Sequence, residues 1–174
     1  MTVTIKPENP NDLEAIAEVN RLAFGQEAEA KLVDLLRKSD AFVPELSLVA
    51  IADDKVNGHI LFSEVVIVDA NQNEFPSLAL APMAVLPAFQ KKGIGGQLIR
   101  AGLEKAKALK YKSVIVLGHE HYYPKFGFEP AEKWGIKPPF EVPANVFMAL
   151  ELVPDGLKGV SGTVRYPKEF SEVS

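Results

Sequence analysis

The sequence contains no cysteine among its 174 residues, and it contains only three histidines. Disulfide bonds, thiolate nucleophiles and cysteine-based zinc or iron-sulfur sites are therefore excluded, and no acyl group can be carried on a protein sulfur. His119 and His121 lack the spacing that two metal ligands have on a helix. We therefore expect no bound metal.

Neither sign of charge dominates, since 19 Lys and Arg face 23 Asp and Glu, for a net charge of −4. This balance argues against binding nucleic acid or an anionic membrane by bulk charge. The longest apolar region, residues 78–89, is interrupted by Pro82 and Pro87, so no membrane span is expected. The first ten residues have no signal-peptide pattern, which leads us to predict a cytoplasmic protein.

The composition, 47% apolar and 24% charged, is typical of a globular protein. A chain of this length can bury one sizeable core, so we expect a single domain over residues 1–174. Its core would span residues 1 to about 152. Residues 153–174 would form a C-terminal extension that wraps around this core. They belong to the proline-rich final third of the chain, and aromatic residues such as Tyr166 and Phe170 would anchor them.

The first half of the chain predicts one strand, two helices and an antiparallel meander. A strand is expected at residues 2–6, a helix begins after Asn11 or Asp12 and ends at Gly25, and a second helix spans residues 27–38. Three strands follow, at 46–52, 59–68 and 75–86, and their short connections require antiparallel pairing. The inward faces of the helices would carry two sets of apolar residues: Leu13, Ile16, Ala17, Ala23 and Phe24, then Leu32, Leu35 and Leu36.

The topology changes after residue 86. Residues 93–109 keep helical apolar spacing, and residues 113–118 form a buried strand, so the segment 78–118 predicts a right-handed crossover with two parallel strands. Two closing strands are expected at 126–129 and 145–153. The predicted fold class is α/β, with a mixed, mostly antiparallel sheet flanked by helices.

The most informative segment is Gln90-Lys-Lys-Gly-Ile-Gly-Gly96, between an apolar strand and a long helix. Its glycines let the backbone turn closely around a ligand, and the helix N-terminus adds about half a positive charge beside two lysines. A pyrophosphate suits this point. A mononucleotide P-loop is excluded because Gly96 and Gln97 follow Gly95, and a dinucleotide fingerprint is excluded because Leu98 stands where its third glycine would be. The remaining alternative is a connecting loop whose glycines only allow the backbone to turn and bind no ligand.

The Gln-x-x-Gly-x-Gly pattern, with its strand, its helix and the meander upstream, resembles the acetyl-coenzyme A loop of the GCN5-related N-acetyltransferase (GNAT) superfamily. The resemblance covers residues 1 to about 152 and is specific from 78 to 128. The C-terminal region is similar to the bacterial subgroup of predicted acetyltransferases of the YhbS type. The resemblance implies a strand with a bulge near Pro82 and a V-shaped splay between the two parallel strands, in which the pantetheine lies.

The resemblance also implies which residues bind the cofactor. Main-chain groups of Met83 and Val85 would bond the pantetheine amides, and one such N–H can polarise the thioester carbonyl. The full set of implied cofactor-binding residues is Met83, Ala84, Val85, Gln90, Lys91, Lys92, Gly93, Ile94, Gly95, Gly96 and Tyr123.

Tyr123 matches the tyrosine of the family's Tyr-x-x-x-Gly-Phe segment, here ending at Phe128. The resemblance implies that its phenol protonates the departing thiolate, since the ordinary pKa values of a phenol, near 10, and a thiol, near 8.5, are close. Tyr122 is the alternative acid, and a buried structural tyrosine is the other interpretation. The sequence departs from the family at residues 118–121 and at Pro124, where many members have a regular helix.

The residue that deprotonates the amine is left open among Glu64, Glu120, His119, His121 and water. Glu27, in the segment 26–32, could attract a cationic amine if that segment borders the acceptor site. The predicted activity is transfer of an acetyl group from acetyl-coenzyme A to the amine of a small molecule or protein, by direct attack in a ternary complex. A non-catalytic acyl-coenzyme A sensor and transfer of a longer acyl chain are the alternatives, and a homodimer is possible.

Overall fold

The computed structural model describes residues 1–173. Within them it forms nine strands, three α-helices and several short 3₁₀ turns. The elements are β1 Thr4–Pro7, α1 Leu13–Phe24, α2 Ala28–Arg37, β2 Phe42–Ala52, β3 Lys55–Val68, β4 Glu74–Val85, α3 Ile94–Ala108, β5 Ser113–Leu117, β6 Glu129–Pro130, β7 Ile136–Lys137, β8 Phe147–Glu151 and β9 Gly162–Arg165.

The chain forms two compact units. The first unit contains Met1–Ser63, Ala81–Lys105 and the described residues from Lys168 onward, and the second contains Glu64–Leu80 and Ala106–Pro167. The prediction of a single domain over the whole chain stays a prediction.

In the first unit, strands β1, β2 and β3 pair antiparallel in that order, and β4 lies next to β3. Neighbouring side chains of β3 point to opposite faces of this sheet. Leu61 packs with α1 and α2 through residues such as Ile16 and Leu36. Phe62 reaches Gly102 of α3 on the other face. The sheet of this unit is therefore flanked by helices on both faces.

Helix α1 ends as the sequence predicts, because Gly25 adopts a left-handed conformation with φ 68° and its N–H bonds to the Arg21 carbonyl. Its N-terminal side differs from the prediction. Asn9 caps a 3₁₀ turn at Pro10–Asp12 through a reciprocal capping box with Asp12, and α1 follows directly from that turn.

The predicted inner face of α1 is partly wrong. Leu13 and Phe24 are exposed, whereas Val19 and Asn20 are buried beside Ile16. A polar residue replaces an apolar one on this face because the Asn20 side-chain amide finds partners there, donating to the Ile16 carbonyl at 3.0 Å and to His59 Nδ1 at 3.4 Å.

In the second unit, the sheet order is β3-β4-β5-β8-β6. The predicted parallel crossover is confirmed, since β4 pairs parallel with β5 at Leu78–Val114 and Ala79–Ile115. Strand β5 pairs antiparallel with β8, and β8 with β6. The α/β class with a mostly antiparallel sheet is likewise confirmed.

The predicted strand at 126–129 is wrong except for its last residue. Tyr123–Phe126 forms a 3₁₀ turn, and only Glu129–Pro130 pairs with β8. Pro124 favours a turn at this place because it has a fixed φ and no N–H, and Gly127 ends the turn at φ 102°.

Strand β9 was not predicted from the sequence. It pairs antiparallel with residues 66–68 of β3, from Val66–Arg165 to Val68–Thr163. It also pairs parallel with β7. At Gly162, where φ is 125°, an added Cβ would lie 2.1 Å from the Val68 carbonyl oxygen, so the close approach of the chain here requires glycine. None of the helices within residues 1–173 combines the length and apolar character that crossing a membrane requires.

Candidate functional site

The segment between β4 and α3 lies entirely in the first unit. After Val85 a 3₁₀ turn at Pro87–Phe89 reverses the chain, with the Phe89 N–H bonded to the Leu86 carbonyl at 2.8 Å. Lys91 at φ 65° and Gly93 at φ 83° then carry the backbone through left-handed conformations into α3. The predicted glycine loop is therefore a tight connection from a buried strand to a helix N-terminus.

The N-terminus of α3 has main-chain amides that find no acceptor within the helix. The first main-chain hydrogen bond at this end of the helix runs from the Gln97 N–H to the Gly93 carbonyl, at 3.1 Å. The N–H groups of Ile94, Gly95 and Gly96 therefore have no carbonyl acceptor within the helix. The helix dipole adds positive potential at the same point. An ideal Cβ on Gly93 would meet no atom within 4 Å, which leaves open space in front of the loop.

Two lysines stand beside these amides. Lys91 and Lys92 are both exposed, and the Lys92 ammonium lies 5.8 Å from the centre of the Phe89 ring. Amides, dipole and cations act on the same region of the surface, and each favours an anion. This part of the structure can therefore bind a phosphate or diphosphate group.

The end of β4 has one edge turned away from β3. The Leu86 N–H bonds to the Asn57 carbonyl of β3 at 2.8 Å, and main-chain groups alternate in direction along a strand. The main-chain groups of Val85 and Met83 therefore face the opposite edge, as the family resemblance requires. Those of Ala84 face β3, and the Ala84 side chain packs with Val19 and Leu86.

Gln90 has a contact that sequence reasoning did not anticipate. Its side-chain amide donates to the Val85 carbonyl at 2.9 Å. That carbonyl therefore already accepts one hydrogen bond within the protein and has one lone pair left for a ligand. Gln90 thus fixes the end of β4 relative to the loop, in addition to any direct contact with a cofactor.

Helix α3 approaches the sheet closely at two glycines. A Cβ on Gly58 of β3 would lie 3.1 Å from Leu98 and 3.2 Å from Ile94, and a Cβ on Gly102 would lie 2.2 Å from the Phe62 ring. The neighbouring Asn57 is buried, and its side-chain oxygen has no partner within the described chain. Sequence reasoning missed these residues, although an isolated glycine inside a strand is a signal of close approach.

Tyr123 lies in the second unit, at the start of the 3₁₀ turn that follows β5. Its side chain is buried, with the ring edge-to-face against Phe128 at 5.7 Å and Tyr122 at 5.2 Å. A Cβ on Gly118 would lie 2.3 Å from the Tyr123 ring, so glycine at the end of β5 makes room for it. No hydrogen bond to the Tyr123 hydroxyl is formed by any other group in residues 1–173.

Burial raises the pKa of Tyr123 to about 12, and the neighbouring Tyr122 adds to the rise. The phenol therefore stays protonated at neutral pH and can donate a hydrogen bond. The same rise makes it a weaker acid than an exposed tyrosine, so full proton transfer to a weakly basic partner becomes less favourable.

The candidate bases have different surroundings. Glu64, in the second unit, accepts a hydrogen bond from the Tyr111 hydroxyl at 2.7 Å. Glu120 lies 3.4 Å from His121, which is 93% exposed, and His119 is exposed as well. Glu64, His119 and His121 are exposed and Glu120 is half-buried, so none of the four candidates lies in an enclosed site.

Glu27 is exposed and pairs with Arg21 of the preceding helix at 3.3 Å, so its charge is already balanced locally. In the part of the chain that the structure describes, no three His, Asp or Glu side chains are grouped so that they could hold a metal ion.

The fold and the loop define a class of protein. Residues 44–130, half of the chain, match the family described as "Acetyltransferase (GNAT) domain". The chain therefore belongs to the GNAT acetyltransferase family. Two relatives in Escherichia coli K12 have names that agree with this assignment. The uncharacterized N-acetyltransferase YjhQ is 40% identical over 134 residues, 76% of this chain and 74% of that protein. The uncharacterized N-acetyltransferase YhbS is 34% identical over 96% of this chain and 98% of that protein.

Two solved structures carry the likeness further. The crystal structure of E. coli YhbS in complex with CoA has a TM-score of 0.89 at 32% identity, covering 97% of this chain and 92% of that one. The structure of a GNAT family acetyltransferase from Brucella melitensis in complex with acetyl-CoA has a TM-score of 0.79 at 34% identity, covering 97% of this chain and 98% of that one. The predicted YhbS-type resemblance is thereby confirmed.

Proposed function

We propose that the protein transfers an acetyl group from acetyl-CoA to an amine, with both substrates bound at once. The single observation that carries this proposal is the cluster of amides without an intrahelical acceptor at the N-terminus of α3, beside Lys91 and Lys92. It supplies the donors and the positive potential that a diphosphate needs. The CoA bound to YhbS and the acetyl-CoA bound to the B. melitensis protein support the choice of ligand.

The pantetheine arm would lie along the free edge of β4. The N–H of Val85 and the main-chain groups of Met83 face that edge and can bond the arm's amides as an added strand would. At Val85 the arm would bond the N–H, and the carbonyl, which already accepts from Gln90, keeps one lone pair for a second donor. An N–H aimed at the thioester carbonyl would also stabilise the charge that develops on its oxygen.

The reaction needs no covalent enzyme intermediate. The amine nitrogen attacks the thioester carbon, the carbon–sulfur bond breaks, and the electron pair leaves with the sulfur. The amine's proton passes to a base, either water or one of the candidates Glu64, Glu120, His119 and His121. Tyr123 is our candidate for stabilising the thiolate. A phenol with a pKa of about 12 and a thiol near 8.5 differ by about 3.5 units, so Tyr123 would act mainly by hydrogen bonding to the departing sulfur.

Thiol release tests the proposed activity. Purified protein and acetyl-CoA would be incubated with a panel of small amines and peptides, and free CoA measured with a thiol reagent. We expect amine-dependent release with at least one acceptor, and acetyl-CoA binding in titration calorimetry. Tight binding without release by any amine would contradict the transferase proposal and favour the acyl-CoA sensor.

A matched pair of glycine variants tests the loop. Gly93→Ala places a side chain at φ 83°, and Gly159→Ala does so at φ 75°, both in open space. Both substitutions strain the backbone by about 1–2 kcal/mol. We expect only Gly93→Ala to weaken acetyl-CoA binding, by about ten-fold or more. Equal affinities for the two variants would contradict the role of the loop.

A further inference from the structure

A cavity of about 640 Å³ opens on the second unit at the carboxyl end of β5. Leu117, Val142 and Val146 form its apolar wall, and Tyr122 adds an aromatic ring. Most of the lining surface is apolar. The volume lies within the range of small-molecule sites in proteins, about 300–1,000 Å³.

The wall is held in place by main-chain bonds. The Gly118 N–H bonds to the Val146 carbonyl at 2.9 Å and extends the ladder between β5 and β8 by one step. Leu117, the last residue of β5, is 44% exposed. A large apolar side chain at a fixed position on a concave surface gains free energy when an apolar group covers it.

Ionisable groups stand on the remaining side of the cavity. Glu120 is the acid among the lining residues, and His119 and His121 flank it. The N–H groups of Tyr122 and Tyr123 both bond to the His119 carbonyl, so these residues form one ordered turn. The combination of an apolar wall with a carboxylate at the rim complements a ligand that has an apolar body and a cationic end.

The cavity adjoins the candidate acid. Tyr122 lines the cavity and packs edge-to-face on Tyr123, with ring centres 5.2 Å apart. Gly118 also lines it and lies against the Tyr123 ring. A molecule in the cavity is therefore separated from Tyr123 by residues that touch both.

We infer that this cavity holds the acceptor of the proposed transfer, and that the acceptor is a primary amine attached to a compact alkyl or aryl group. The inference rests on the proposed function, because it assigns the acceptor of that reaction. The apolar body lies against Leu117, Val142 and Val146, and Glu120 attracts the ammonium form of the amine before it loses its proton.

The first experiment compares two acceptors that differ in their apolar part. Thiol release from acetyl-CoA is measured with phenethylamine and with ethanolamine, which present the same primary amine on a two-carbon chain. We expect kcat/KM to be at least about ten-fold higher for phenethylamine. Equal values, or a preference for ethanolamine, would overturn the inference while leaving the transferase activity in place.

A matched pair of leucine variants locates the preference. Leu117→Gln changes the cavity wall, and Leu22→Gln changes a leucine on α1 that is 52% exposed. We expect Leu117→Gln to raise the KM for phenethylamine about five-fold with an unchanged KM for acetyl-CoA, and Leu22→Gln to change neither. A loss of self-association in Leu117→Gln, with amine kinetics unchanged, would overturn the inference in favour of a second copy of the chain.

A binding experiment separates this inference from the proposed function. Titration calorimetry without acetyl-CoA compares phenethylamine with 2-phenylethanol, on the wild type and on Glu120→Gln. We expect the wild type to bind the amine about three-fold more tightly than the alcohol, and Glu120→Gln to bind both equally. Such binding without thiol release would contradict the transferase proposal and leave the cavity as a ligand site. Thiol release without this pattern of binding would contradict the inference about the cavity and leave the transferase proposal in place.

Discussion

At the scale of single residues, the burial of Tyr123 determines which part of acid–base chemistry it can perform. A phenol with a pKa of about 12 holds its proton throughout the neutral and moderately alkaline range. It can therefore stabilise a leaving thiolate by hydrogen bonding, but it cannot serve as the base that deprotonates an amine. The family motif predicts an acid at Tyr123, and the raised pKa restricts that proposed role to hydrogen bonding.

Tyr123→Phe is expected to lower kcat about 10²-fold or more and to leave the affinity for acetyl-CoA within about two-fold. The ring packing against Phe128 survives this change, because only the hydroxyl is removed. Tyr166→Phe is the control, since Tyr166 is a second tyrosine of the same unit whose pKa burial raises to about 12. Steady-state kinetics and calorimetry measure both effects, and equal turnover in the two variants would remove Tyr123 from the mechanism.

The pH profile makes a separate prediction at the same residue. Because an acid acts in its protonated form, a raised pKa extends activity upward in pH. We expect kcat for the wild type to show no descending limb between pH 8 and about 10, as the Tyr123 phenol ionises only near 12. A fall centred near the ordinary tyrosine pKa of about 10 would contradict a buried, protonated phenol.

His59 is the centre of a buried polar network in the first unit. Its Nε2 lies 3.0 Å from the Ser47 hydroxyl, which in turn donates to Glu8. Glu8 also accepts two hydrogen bonds from Arg37, at 2.8 and 3.0 Å. Burial lowers the pKa of His59 to about 4, so the imidazole is neutral in the folded protein.

This network predicts loss of stability in acid. The unfolded chain binds a proton at His59 near pH 6.5, whereas the folded protein does so only near 4. The stabilisation is therefore complete above about pH 6.5 and is lost as the pH falls towards 4, by about 3 kcal/mol in the free energy of unfolding. Glu8 adds to the loss of stability at lower pH, because its pKa is lowered in the folded protein. Burial alone would raise that pKa, but the hydrogen bonds from Arg37 and Ser47 outweigh the effect of burial.

Urea unfolding at pH 7 and pH 4 measures the acid effect. We expect His59→Gln to be less stable at pH 7 and to lose less stability between the two pH values than the wild type. His119→Gln, at an exposed histidine, serves as the control and should keep the wild-type pH dependence. A wild-type slope in His59→Gln would show that another group titrates.

At the scale of elements, the close contact of α3 with β3 holds the loop's amides where they are. Gly102 of α3 lies over the Phe62 ring, and an added Cβ would come within 2.2 Å of it. Alanine in a helix interior is normally favoured over glycine by about 1 kcal/mol. At this position we expect the reverse, with Gly102→Ala lowering the free energy of unfolding by about 1–3 kcal/mol and weakening acetyl-CoA binding.

A compensating substitution distinguishes overpacking from a general effect on the helix. Phe62→Leu removes ring atoms that the new methyl group would meet. In a double-mutant cycle, the pair Gly102→Ala and Phe62→Leu should be more stable than the sum of the single changes predicts. Additive free energies would contradict the proposed clash.

The elements differ in how well the sequence predicts them. Helix α3 and the strands β4 and β5 were predicted within one or two residues, because their apolar spacing is regular and their ends carry glycine or proline. The prediction failed at residues 126–129 and missed β9, where short segments pair with distant strands. Such pairing depends on tertiary contacts that a local pattern does not contain.

At the scale of the whole molecule, the glycine loop was predictable from the sequence and the cavity at the end of β5 was not. The loop from Met83 to Gly96 is contiguous in sequence and lies in one unit, so local chemistry identified it as an anion site. The Gln90 bond to Val85 and the cavity at Leu117 each join residues whose proximity no spacing rule predicts. Only the folded chain brought them together.

The proposed function depends most on the binding of the acetyl-CoA diphosphate by the amides at the start of α3. Nitrogen-15 NMR of the full chain, titrated with CoA, observes these amides directly. We expect large shifts of the Gly95 and Gly96 amide resonances, and no comparable shift with pantetheine, which lacks the diphosphate. CoA binding that leaves both resonances in place would contradict the account.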